Sequence, residues 1–126
     1  MDRGDGITSV PLITRQSDES ALITTGMSTY PMGTGAPLHR HNCDEQVTLL
    51  HGTGEVEVDG VVTPLGLYDT TYIRAGRTHA FRNTGADPML ILWIYPTQRV
   101  TRTLIDSGDT VEHLSADDMI GDGHTR

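Results

Sequence analysis

Hydrophobic and polar positions along the chain follow strand periods rather than helical ones. Residues 55–58 (Glu-Val-Glu-Val) alternate strictly, as a half-exposed strand does. Asp59-Gly60 then predicts a tight hairpin into a strand over 61–63. Residues 89–95 (Met-Leu-Ile-Leu-Trp-Ile-Tyr) are apolar on both faces. That pattern predicts a central strand with one side toward a cavity and the other toward a sheet or a partner. Residues 21–30, rich in threonine and apolar side chains, predict another strand, with Gly26 marking a bulge. Strands are also predicted at 7–14 (confined to an edge by Pro11), 46–51, 67–73 and a short stretch around His79. Residues 100–105 and 110–114 read as late strands or a reaching arm. Loops rich in Gly and Pro fill 31–37 and 83–88. Only 115–118 has the make-up of a cap on a brief helical turn, and no segment carries a convincing 3.6-residue period. The expected class is all-β. A single domain of residues 1–126 is expected, with its core at about 20–105 and loose ends at 1–6 and after Gly121.

Composition narrows the chemistry. All nine basic residues are arginines, and the absence of lysine excludes Schiff-base chemistry and a lysine-bound pyridoxal cofactor. A formal charge of −8 argues against a nucleic-acid partner. The single cysteine and an N-terminus without a signal-like apolar run lead to the expectation of a cytoplasmic protein. The longest apolar stretch, residues 89–95, is too short to span a bilayer, so no membrane partner is expected.

The candidate chemistry lies in two short blocks. His39 and His41 are two apart and point to one face of a strand. A continued strand would carry Glu45 about 13 Å past His41. The turn-favouring Asn42-Cys43-Asp44 would instead fold it back toward the imidazoles. The second block supplies His79. Three imidazoles and a carboxylate suit a borderline divalent metal, and we take His39, His41, Glu45 and His79 as the candidate ligands.

These blocks resemble the cupin family. The first motif, G-x5-H-x-H-x3-E-x6-G, is met by Gly33, His39, His41, Glu45 and Gly52. The second, G-x5-P-x-G-x2-H-x3-N, is met by Gly76, His79 and Asn83. Arg74 stands at its proline and Tyr68 at its first glycine; Gly66, two residues earlier, suggests a longer or bulged strand there. The resemblance implies a small β-barrel (jelly roll, or double-stranded β-helix) with a metal inside, but not one reaction. The favoured expectation is a metal-dependent enzyme acting on a small oxygenated organic molecule. The divalent ion, iron before manganese, nickel or zinc, would serve as Lewis acid or dioxygen activator. Iron would make a dioxygenase; the others would make an isomerase, lyase or decarboxylase. Glu45 would stay bound or detach as a catalytic proton acceptor. The alternative is a non-catalytic barrel that senses a small molecule or metal.

Further residues follow from parity and position. Phe81 shares a face with His79, and Trp93 with Tyr95, so these three are expected around substrate. Arg74 or Arg77 at the barrel mouth could clamp a substrate carboxylate. Arg40 and Arg82 alternate with ligand residues and should face away, and Cys43 should point outward from its turn. Asn83 should hold a turn and His51 should be structural. His113 and His124 are expected at the surface, His113 reaching the cavity only if the C-terminal arm folds over it. The doubly apolar 89–95 segment and the free arms favour a homodimer.

Overall fold

The computed structural model describes residues 1–121. Its strands are β1 (Thr8–Ile13), β2 (Thr24–Tyr30), β3 (His39–His41), β4 (Glu45–His51), β5 (Gly54–Val58), β6 (Val61–Leu65), β7 (Thr70–Ile73), β8 (His79–Asn83), β9 (Met89–Tyr95), β10 (Thr101–Leu104) and β11 (Thr110–Glu112). No helix occurs among the described residues, so the class is all-β. Two antiparallel sheets face one another. One runs β1–β2–β9–β4–β7 and the other β11–β10–β3–β8–β5–β6.

Strand boundaries follow the periodicity, with instructive differences. β9 lies between β2 and β4, as its apolar run requires, and buries Met89, Ile91, Trp93 and Tyr95 inward. Its alternate residues, Leu90, Leu92 and Ile94, are only half-buried on the outer face. Pro11 is accommodated because β1 is an edge strand. The bulge expected at Gly26 falls instead on the partner strand, between Pro11 and Ile13. Gly26 itself makes room for Trp93. The Asp59-Gly60 hairpin has both residues at positive φ, 50° and 84°, as the type I′ turn demands. It lets β6 run on through Pro64, which is harmless because β6 is the other sheet's edge. The predicted 67–73 strand shortens to β7, because Asp69 folds back on Gly66 and Tyr68 adopts φ 70°.

The chain ends depart most from expectation. Residues 1–6 are not loose: Arg3 is fully buried and its carbonyl accepts the backbone N–H groups of Ile120 (2.7 Å) and Gly121 (2.9 Å). Residues 115–118 form a turn rather than a helical one, closed by Asp118 N–H to the Ser115 carbonyl. Both arms thus meet across one end of the barrel. Among the described residues no helix is long and apolar enough to cross a membrane. His124 lies outside the described residues.

Candidate metal centre

The short β3 strand projects His39 and His41 to the same interior face, and Arg40 between them is exposed. The backbone then turns at residues 42–44. Asn42 holds that turn to β10 by accepting from Thr101 N–H (2.8 Å) and donating to the Arg99 carbonyl (2.8 Å). Asp44 accepts from Ala75 N–H (2.8 Å). Glu45 therefore starts β4 on the opposite sheet and points back across the interior. On β8, His79 is paired directly with His39.

The four side chains converge. One ligand nitrogen from each of His39, His41 and His79 lies within 4.8 Å of the others, so this buried trio could hold a metal ion. Glu45 Oε1 is 3.1 Å from His79 Nε2 and 3.6 Å from His41 Nε2. Each ring is held by a backbone carbonyl behind it. Nδ1 of His39 meets the Pro37 carbonyl at 2.8 Å, that of His41 meets Thr101 at 3.0 Å, and that of His79 meets Arg77 at 2.9 Å. A carbonyl can only accept, so Nδ1 carries the proton in each ring. Nε2 of each ring is thereby turned inward, with its lone pair free at His39 and facing the Tyr95 hydroxyl at His41, the arrangement that outer carbonyls impose on ligand histidines.

The electrostatics agree. Burial pushes the His39 pKa well down, with the neighbouring imidazoles adding to it, and burial also lowers that of His41. Both are neutral donors at neutral pH. Burial would raise Glu45, but His41 and His79 outweigh it and hold its pKa at about 2. Burial would lower His79, but its bond to Glu45 raises it instead. His79 Nε2 thus sits against the carboxylate at 3.1 Å.

Phe81, Trp93 and Tyr95 line the cavity around this cluster. The Tyr95 hydroxyl is 3.3 Å from His41 Nε2, and Trp93 Nε1 donates to Ser28 Oγ at 2.9 Å. Arg74 does not reach the cavity: it sits exposed in the turn before β8, its side chain acting on Asp44 and Tyr72. Arg77 is also outside, paired with Asp59 at 2.6 Å. Arg82 faces outward to Glu55 and Glu57. Asn83 ties the 83–87 turn by donating to the carbonyls of Tyr30 and Asp87, and His51 braces the Pro88 carbonyl. Cys43 packs half-buried against the core instead of pointing out, and burial beside Glu45 and Asp44 pushes its thiol up to about 11, so it is no thiolate donor.

Two cavity residues, Arg3 and Arg102, escaped the sequence reading; His113 lines the cavity as well, because the C-terminal arm does fold over it, so it is not the surface residue expected from the sequence. Asp118, fully buried, binds both arginines: Arg3 Nη2 at 2.8 Å and Arg102 Nε at 2.6 Å. Strand parity held the signal for Arg102, since it shares a face with Val100 and Leu104, while Thr101 and Thr103 alternate on the other. Nothing local marks Arg3.

A family model for the cupin domain matches residues 26–95. No curated protein sequence matches the chain. Among solved structures, a cupin-2 domain from Rhodospirillum rubrum superposes with a TM-score of 0.70 at 23% identity, over 82% of this chain and 68% of that one. A cupin 2 domain-containing protein from Halorhodospira halophila gives 0.66 at 26% identity, over 87% and 70%. The DMSP lyase DddQ from Ruegeria pomeroyi gives 0.70 at 22% identity, over 82% of this chain but only 54% of the lyase.

Proposed function

This chain belongs to the cupin family, and from that premise we propose that it is a metal-dependent enzyme acting on a small oxygenated organic molecule. His39, His41, His79 and Glu45 are the ligands in this reading. The observation that carries it is the set of carbonyl tethers, which fix buried imidazoles so that their second nitrogens converge beside a carboxylate. A bound divalent ion would supply Lewis acidity or dioxygen activation, with iron, manganese, nickel and zinc all compatible with three imidazoles and a carboxylate.

The chain's own groups then divide the work. Glu45 either stays on the ion or detaches to accept a proton from substrate, its Oε1 lying beside the imidazoles of His41 and His79. The buried Tyr95 phenol, pushed far up by burial and Glu45, stays protonated and donates a hydrogen bond to developing negative charge. Phe81 and Trp93 form apolar walls that exclude water. Metal analysis of protein purified without chelator is the first test. Turnover of small keto acids and phenols with and without dioxygen then separates oxygenase from isomerase or lyase. Tight binding without turnover would instead favour a sensing barrel, a reading that the closure of both arms over the cavity supports. In the same reading the protein is a cytoplasmic homodimer, its outer β9 face (Leu90, Leu92, Ile94) covered by a second copy; a monomeric mass at micromolar concentration would rule this out.

A further inference from the structure

Among the described residues, two buried side-chain nitrogens have no hydrogen-bond partner: Nη1 of Arg102 and Nδ1 of His113. Both residues line the cavity that His39, His41 and Glu45 also line. Buried polar atoms are almost always paired, and an unpaired charged donor is the more costly exception. The rest of the Arg102 guanidinium is satisfied, Nε by Asp118 and Nη2 by the Met119 carbonyl. Only Nη1 is left over.

Arg3 and Arg102 share the one Asp118 carboxylate, so neither guanidinium has an acid to itself, and Glu45, the carboxylate that lines the cavity, is bonded to His79. Arg102 lies directly across from His41 in the β10–β3 pairing, so its side chain leaves the sheet beside that imidazole. His113 is fixed by edge contacts, its ring centroid 4.9 Å from those of both Trp93 and Tyr95 and 6.3 Å from that of His41. Its Nδ1, buried and unpaired, is the ring atom left to meet a ligand.

We propose that Arg102 Nη1 and His113 form the receptor for the carboxylate of a small anionic substrate, whose other end is thereby presented to His39 and His41. This deepens the enzyme reading and takes the cluster's role from it, but the receptor stands on two residues outside the cluster. The free Nη1 has two N–H bonds to offer, and a carboxylate accepts them as charge-assisted bonds stronger than those to an uncharged amide. The cavity holds about 40 Å³. At about 10–15 Å³ for one water, that admits an acid of only a few heavy atoms while the arms stay closed.

The test is an NMR titration of the protein with acetate and pyruvate, using acetamide as the uncharged isostere, in metal-loaded and chelator-treated samples. Both acids should shift the Arg102 side-chain resonances and acetamide should not. Arg102→Gln should weaken acid binding about tenfold to a hundredfold, the loss of one charged hydrogen bond. Arg40→Gln, on the exposed face of β3, should change nothing. If metal-loaded wild type and Arg102→Gln bind the acids equally, the metal alone takes the carboxylate; the receptor is then wrong and the enzyme reading survives. Arg102-dependent binding in a protein that retains no metal would support the receptor while removing the metal. Absence of acid binding in both samples overturns it, leaving Nη1 to a buried water. If Arg102→Gln does not fold, the wild-type Arg102 resonances decide: a shift on adding acetate supports the receptor and no shift sinks it.

Discussion

A Cβ on Gly26 would lie 2.3 Å from Cη2 of Trp93 and 2.4 Å from its Cζ2, so the indole occupies space that only a bare backbone leaves. The two residues are direct cross-strand partners on β2 and β9. This contact, with the Ser28 bond to the indole nitrogen, sets the cavity wall. Gly26→Ala should destabilise the fold by about 1–3 kcal/mol, as overpacking does. Trp93 is the only tryptophan, so its fluorescence reads the displacement directly. An unchanged spectrum with unchanged stability would show that the ring is not held there.

Tyr68 carries a strain that its position in the motif explains. It stands where the second motif has glycine and adopts φ 70°, with its N–H bonded to the Leu49 carbonyl at 2.7 Å. A non-glycine residue in this region costs roughly 1–2 kcal/mol, partly offset by the greater freedom of glycine in the unfolded chain. The ring is 70% exposed and contributes little burial. Tyr68→Gly should therefore stabilise by about 0.5–1 kcal/mol. A lower urea midpoint for the variant would contradict this.

Asp118 makes stability depend on acidity. Burial would raise its pKa, but Arg3 and Arg102 outweigh burial and lower it. A carboxyl lowered on folding contributes fully above its unfolded pKa, about 4, and loses that contribution as pH falls through the folded value. Asp118→Asn leaves two buried guanidiniums facing no carboxylate and should cost about 3–5 kcal/mol at neutral pH. The gap from wild type should narrow as pH falls below about 4. Urea titrations across that range check it, and a gap that stays constant would mean that Asp118 carries no charge in the folded protein.

The ligand set is open to direct removal. His39→Ala and His79→Ala should each purify with well under half the wild-type metal content, measured by elemental analysis, while keeping the strand signature in circular dichroism. Equal content would show that the ion, if present, is held elsewhere.

The sequence exposed the barrel through β9 and the Asp59-Gly60 hairpin, where periodicity and turn chemistry agree. It also brought His39, His41 and Glu45 near one another, because spacing two apart and a turn at 42–44 leave little choice. The second block offered His79 as the third imidazole, and the family resemblance agreed with it. What it hid was the closure of the cavity. Arg3 and Asp118 are 115 positions apart and sit in segments without periodicity, so only tertiary packing joins them. Arg74 looked like the cavity's cation because it is near the motif, yet its turn faces solvent. Arg102 was legible only by applying to 100–104 the same parity argument that worked elsewhere.

The three imidazoles are steered from behind by main-chain oxygens of Pro37, Thr101 and Arg77, not by side chains. Every amino acid brings the same oxygen. Mutational drift at these three positions can therefore proceed without untethering the rings, provided the backbone keeps its path. A lineage could diversify its loops and its chemistry around a centre whose aim is inherited from the strand ladder itself.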